Sequence, residues 1–210
     1  ISLGLVGSEM CIRDRPASEQ DRAQMLEWFP GRFLIEGDRN DYDYIYTREK
    51  LATLAGKKLH GKRNHIARFK DSGDWSYESM TAENVEECRT MTYTWIHMRE
   101  EKWNEEMNQE ISVLHEAFDH MQELGLVGGV LRRDGQIVAF SIGERLNSET
   151  FVVHFEKAYP DLQGAYPMIN QQFVLHECEG YAYVNREEDT GDPLSLIHIS
   201  EPTRRRLISY

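Results

Sequence analysis

The sequence predicts a mixed α/β domain of the α+β kind, with a long, mostly antiparallel central sheet flanked by helices. Two observations carry this. Three β-type runs follow one another, Leu126–Arg132, Gln136–Leu146 and Glu149–Lys157, joined by the turn pairs Asp134-Gly135 and Asn147-Ser148. Asp-Gly between two such runs is a strong hairpin signal. Stretches of helical period precede the meander, and another helix and a strand follow it, an order that suits a layered mixed domain.

The helices are read from their spacing. Residues 18–29 make a short helix stopped by Pro30 and Gly31. Two strands, Arg32–Glu36 and Asp43–Tyr46, are expected around the polar turn Gly37-Asp38-Arg39-Asn40. Residues 47–70 read as a short helix and then a basic helix with one buried face. Trp75–Met80 reads as a strand. A helix is expected to open with Thr81 as its cap, with Asn84 in the place of a capping-box Glu or Gln, and to run to about Met98. In Glu105–Glu123, Met107, Ile111, Leu114, Phe118 and Met121 recur at steps of three or four, and Gly125 follows as the stop. Gly164–Glu177 reads as a helix with Met168, Ile169, Phe173 and Val174 inward, and Tyr181–Asn185 as a last strand.

The two ends read differently from the middle. One DNA element in inverted orientation can encode both: codons for Leu194–Arg204, read on the opposite strand, yield Leu5–Asp14 and can open Arg15. This looks like a translated sequencing adaptor, so residues 1–15 and 194–210 are expected not to be native and are set aside from fold reasoning. Residues 16–56 are then expected to be the remnant of a preceding domain, and 57–193 a truncated C-terminal domain.

Composition excludes several classes. The net charge is −12. Setting the ends aside removes five arginines (Arg13, Arg15, Arg204, Arg205, Arg206) against Glu9, Asp14 and Glu201, so the middle is more acidic still. Such a chain is not a general polyanion binder; RNA or anionic lipid would need a local basic patch. Cys88 and Cys178 form no disulfide framework and no zinc spacing, which fits a reducing cytoplasm. No run approaches the ~20 apolar residues of a membrane span. The histidines contain no HExxH, and His115 and His120 diverge on a helix, so no metal site is expected.

Three constellations carry candidate chemistry. The first is the strand-to-helix junction from His154 to Tyr166, where Gly164 opens a helix. Helix starts offer free N–H groups and partial positive charge, and Gly164 and Ala165 would allow close backbone approach; an ordinary β–α turn reads the same way. The second is the strand end Asn185-Arg186-Glu187-Glu188-Asp189. Arg186 can fork onto a carboxylate or phosphate, and the acids can take a proton or hold an amine; the alternative is a solvated acidic loop. The third is the basic run Lys57-Lys58-Leu59-His60-Gly61-Lys62-Arg63, suited to phosphate positioning or simply to balancing an acidic protein.

Together these stretches resemble one family. DYIYTREKLATLAGKKLHGKRNHIARF, GGVLRRDGQIVAFSIGERLN, TFVVHFEKAYPDLQGAYPMINQQFV and YVNREEDTGD are similar to the phosphatidylglycerol lysyltransferase C-terminal domain, and more closely to its stand-alone members without the membrane part. The likeness covers Asp41 to Asp192. It implies a GNAT-like fold, with residues 16–56 left from a first GNAT-like domain. It implies an acyl- or aminoacyl-transferase that draws on aminoacyl-tRNA or acyl-CoA, with tRNA as a partner, a lipid or small amine as acceptor, and no permanently bound cofactor. Carried over by position, Glu156, Glu187 and Asp189 would be the catalytic carboxylates. Lys157, Gln163, Gly164, Ala165, Asn170, Asn185, Arg186 and Glu188 would bind donor or acceptor, joined by Lys62 and Arg63 from the basic run. Family members continue after the acidic loop with a Leu-Arg segment that this chain lacks from Leu194 onward. The competing expectation is a non-catalytic module gripping tRNA or an acidic partner through 57–70.

Overall fold

The structure, a computed structural model, describes residues 2–5, 19–36, 43–99, 105–187 and 204–206. The chain divides into two compact units, one of Ile1–Ile45 with Arg186–Tyr210, the other of Tyr46–Asn185. In the first, β1 (Ser2–Leu5) pairs antiparallel with β2 (Phe33–Glu36), and α1 (Glu19–Trp28) lies between them in sequence. The strand β3 (Asp43–Thr47) begins in this unit, where it pairs antiparallel with β9 (Arg204–Arg206). The turn expected at Gly37–Asn40 lies outside the described residues.

The larger unit carries the core. Its sheet runs in the order β4 (Trp75–Ser79), β5 (Val127–Arg133), β6 (Gln136–Arg145), β7 (Thr150–Ala158), β8 (Tyr183–Asn185). All neighbours are antiparallel except β7 and β8. The meander follows from its turns: Asp134 and Gly135 both take positive φ, as a two-residue hairpin needs.

Side chains alternate across a strand, and the core divides accordingly. Leu131, Ala139 and Ala158 pack with Leu54, Leu59, Ile66, Phe69, Met168 and Ile169 on one face. Their neighbours Val130 and Phe140, with Ile142, pack with Cys88, Met91, Trp95, Leu114 and Phe118 on the other. The first face is therefore covered by α2 (Arg48–Thr53), α3 (His60–Asp71) and α6 (Ala165–His176). The second is covered by α4 (Val85–His97) and α5 (Glu105–Asp119). Covered on both sides, β6 is buried without interruption from Ile137 to Gly143, which is why its sequence reads as one apolar run.

One boundary differs from expectation. The regular helix begins at Val85, with Asn84 before it making no side-chain capping bond to it, and not at Thr81. The capping contacts expected of Thr81 and Asn84 are nonetheless made: the Thr81 hydroxyl accepts from the Glu83 amide at 3.3 Å, Asn84 Oδ1 accepts from the Thr81 amide at 2.8 Å, and the Val85 amide donates to the Thr81 carbonyl at 3.0 Å. Asn84 Nδ2 is also committed, to Glu78 and to the Ser79 carbonyl. The short amide is held by the strand below, so the helix starts where Asn84 is anchored. Among the described residues no helix is long and apolar enough to cross a membrane.

Candidate active site at the end of β7

β7 is where pairing changes. Its first three residues, Thr150–Val152, pair in parallel with Tyr183–Asn185; on its other side β6 accompanies it to Ala158. His154 is an extra residue between the pairs Ile142↔Phe155 and Gly143↔Val153, a β-bulge. Bulges re-aim side chains and recur beside active sites. His154 Nε2 lies 3.0 Å from Glu144 Oε1.

Beyond the bulge, alternation sends Glu156 and Lys157 to opposite faces. Glu156 faces α6, where Asn170 Nδ2 donates to its Oε2 at 3.1 Å. Asn170 is 2 % exposed, and its Oδ1 is buried without a hydrogen-bond partner. Four residues earlier on the same helix, Tyr166 receives a hydrogen bond on its hydroxyl from Trp95 Nε1 at 3.2 Å. Burial holds the Tyr166 phenol above its usual value, against the lowering effect of the Trp95 donor and of Arg99.

Lys157 takes the other face. It is 5 % exposed, bonded to Glu110 Oε1 at 2.5 Å, with its Nζ 4.3 Å from the Trp95 ring centroid. Arg99 stacks on the same indole at 4.7 Å. Lys157 thus clasps α5 and α4 to the strand, away from Glu156. Asn185, fully buried, pairs with Val152 and places the β8 end beside the start of β7.

The opening of α6 has a packing cause as well. Gly164 has φ +90°, and a Cβ there would collide with the His65 carbonyl of α3. Ala165 is buried, and Gln163 is exposed in the preceding turn. The Ala165 amide donates to Leu162, and Pro167 has no N–H. Of the first three helical residues, Tyr166 alone has an amide left for a ligand.

The basic run is partly consumed by the fold. Lys62 is 5 % exposed. Arg63 Nη1 caps the end of α2, donating to the Leu54 carbonyl and, at 2.9 Å, to that of Gly56. Lys57, Lys58, Arg68 and Lys70 are exposed.

Arg186 and Glu187 belong to the smaller unit. There the Arg186 amide donates to the Tyr44 carbonyl and the Tyr44 amide to that of Glu187, both at 3.0 Å. Glu187 has φ +55°, uncommon for a residue with a side chain. Glu188 and Asp189 lie outside the described residues. Among the described residues no cluster of His, Cys, Asp and Glu could hold a metal ion.

The structure therefore brings Glu156 and Asn170 together, with Asn185 on the neighbouring strand, and turns Lys157 away. Sequence reasoning missed Tyr166, Trp95, Glu110 and Arg99 as parts of this cluster. Tyr166 was within reach, since its spacing of four from Asn170 puts both on one helix face. The other three come from α4, α5 and the residues after α4, and only the tertiary fold brings them in.

Known proteins resemble this chain in sequence and in structure. The family model described as phosphatidylglycerol lysyltransferase, C-terminal, matches residues 15–197. A conserved protein of unknown function from Bacteroides thetaiotaomicron has a crystal structure that superposes with TM-score 0.77 at 42 % identity, over 83 % of this chain and 59 % of that one. L-PGS from Bacillus licheniformis shares the fold at TM-score 0.55 and 17 % identity, over 87 % of this chain and 55 % of that one. An uncharacterized protein of Mycoplasmoides gallisepticum is 24 % identical over 172 residues, 79 % of this chain and 54 % of its own length. The chain thus spans a little over half the length of these relatives. With the family model matching from the residue before Pro16 to beyond β8, the chain belongs to the phosphatidylglycerol lysyltransferase C-terminal family.

Proposed function

We propose that the chain is an acyl- or aminoacyl-transferase of the GNAT-like type, moving an activated acyl or aminoacyl group to a hydroxyl or amine acceptor. The observation that carries this is the Glu156 carboxylate, fixed by a buried Asn170 just beyond a bulge in β7. Glu156 is the general base of this reading, taking the acceptor's proton directly or through water. Holding donor and acceptor in one place supplies several kcal/mol of the rate enhancement, and main-chain amides would stabilise the oxyanion. The family likeness implies further roles for Arg186, Glu187, Glu188 and Asp189.

Between the two donors, aminoacyl-tRNA is favoured over acyl-CoA. A pyrophosphate needs several amides at a helix start, and the engaged Ala165 amide with Pro167 leaves α6 poorly equipped for one. The reading places tRNA as a partner, a lipid or small molecule as acceptor, and the reaction in the cytoplasm. A purely binding role for 57–70 has less to stand on, with Lys62 buried and Arg63 spent on carbonyls.

A transfer assay tests this. Radiolabelled aminoacyl-tRNA and acyl-CoA are supplied separately to the chain and to its Bacteroides relative, with phosphatidylglycerol vesicles as acceptor. Transfer that falls at least a hundredfold in Glu156→Gln, at unchanged fold by circular dichroism, is the expected result. No transfer from either donor, by either protein, would sink the reading.

A further inference from the structure

β4 ends the sheet of the larger unit, with β5 on one side and no described strand on the other. Its ladder fixes which backbone groups face out. The Asp134 amide donates to the Asp74 carbonyl at 2.8 Å, and the Met80 amide to that of Gly128 at 2.7 Å. Between them the register runs from Trp75↔Arg133 to Ser79↔Gly129 without a shift. Bonded and unbonded pairs alternate in an antiparallel ladder, so Ser76 and Glu78 turn their N–H and C=O groups to β5. Trp75, Tyr77 and Ser79 turn theirs outward, where no partner is found among the described residues.

Folded proteins guard such an edge with a Lys, a Pro or a bulge. β4 has none of these in Trp75-Ser76-Tyr77-Glu78-Ser79. Its one charge, Glu78, is bonded to Arg132 of the neighbouring strand.

The edge carries opposite charges at its two ends. Trp75 and Tyr77 pack against the cluster under α3 and α6, and Ser79 shares that face by alternation. At one end the Lys70 ammonium lies over the Trp75 ring, 5.1 Å from its centroid. At the other, the Tyr77 and Ser79 hydroxyls both donate to Glu177 Oε1 at 3.0 Å. Lys70 and Ser79 are exposed and Glu177 is half-buried.

We infer that β4 is a dimerisation edge, on which a second copy of this chain adds its own β4 antiparallel about a two-fold axis at Tyr77. That register sets Tyr77 against Tyr77 and Trp75 against Ser79, so the outward groups of each strand meet those of the other. It also brings Lys70 of each copy toward Glu177 of the other, an isologous contact made twice. Parallel pairing would set Lys70 beside Lys70 and Glu177 beside Glu177. On the opposite face Glu78 comes against Ser76 and not against a second Glu78. The inference stands apart from the transferase reading.

Sedimentation equilibrium of the whole chain tests it, with circular dichroism as the check of fold. Expected is a concentration-dependent passage from one chain to two, weakened by salt because the Lys70–Glu177 pairs lie near solvent. Ser79→Pro removes an outward N–H and leaves the β5 ladder intact; it should weaken dimerisation at least tenfold. Lys70→Glu and Glu177→Lys each set like charges together twice, and each alone should also pair at least tenfold more weakly than the parent. Mixed in equal amounts, the two variants meet with both contacts of opposite sign, and two-chain particles should return. Should Glu177→Lys lose its native spectrum, Lys70→Glu and Ser79→Pro carry the test, each with its tenfold weakening. A single-chain mass at every concentration would mean that another segment or another protein covers β4, and would overturn the inference. So would a dimer as tight in Ser79→Pro as in the parent, a mixture that restores nothing, or particles that grow beyond two chains.

Discussion

The Trp95 indole donates to the Tyr166 hydroxyl at 3.2 Å, joining α4 on one face of the sheet to α6 on the other. Both side chains belong to opposite hydrophobic clusters, so the bond ties the two layers together where β7 ends. Trp95 is 2 % exposed and carries a cation on its ring from Lys157 and another from Arg99. Tyr166→Phe keeps the ring and strands one donor, the indole N–H. Each unmet buried donor costs about 1–3 kcal/mol. The expected result is a loss of about 2 kcal/mol in urea unfolding with an unchanged slope. A variant as stable as the parent would show that water replaces the phenol oxygen at no cost.

Gly164 has two independent reasons to be glycine. Its φ of +90° is strained for any other residue, and an added methyl group would meet the His65 carbonyl and the Phe69 side chain. Gly164→Ala is expected to cost at least about 2 kcal/mol through both effects, read as a lower thermal midpoint. Gly180, also at positive φ but with open space around it, is the control. Gly180→Ala bears the backbone term alone and should lose less.

The meander was legible because hairpin chemistry is local. Asp134-Gly135 and Asn147-Ser148 set the turns, and alternation in the flanking runs set the faces. The α6 core residues Met168, Ile169, Phe173 and Val174 were legible for a similar reason, since helical spacing alone marks them, and all four are buried. The capping contacts of Thr81 and Asn84 were legible, whereas the later start of regular helix at Val85 was not; Asn84 is also held by Glu78 and Ser79, a tertiary contact that local capping rules do not contain. Lys157 was carried over to the site with Glu156 by position from the family likeness, and alternation along the strand sends the two side chains to opposite faces. Gly164 invited a ligand-approach reading, and the fold supplies a second use in α3 packing that no single sequence displays.

Lys157 and Glu110 should behave unequally. The ammonium is nearly buried, whereas the Glu110 side chain is 40 % exposed. Glu110→Gln takes a counter-charge from a buried ammonium, and removing one partner of such a pair costs more than replacing the charge by an apolar chain. Exposure of Glu110 softens the loss by solvent screening, so about 1–3 kcal/mol is expected. Lys157→Met keeps the packing on Trp95 and should cost less than Glu110→Gln. The reverse order in chemical denaturation would show that the ammonium, and not its Glu110 counter-charge, carries the energy.

Alkali should loosen the core before acid does at these sites. Burial pushes the Cys88 thiol up from 9.0 to about 12, and Tyr77 and Tyr166 are raised chiefly by burial as well. Such groups keep their protons in the folded chain at a pH where the unfolded chain has released them. The unfolded state then binds fewer protons, so stability falls as pH rises. For Cys88 the loss begins near pH 9 and continues to about 12. The thermal midpoint is therefore expected to drop steadily from pH 9 to pH 11, and the drop should be shallower in Cys88→Val. At pH 8 the same thiol should resist iodoacetamide in the folded protein and react on unfolding. Rapid alkylation of native Cys88, or an alkaline slope identical in Cys88→Val, would mean that this thiol is not sealed between α4 and the sheet.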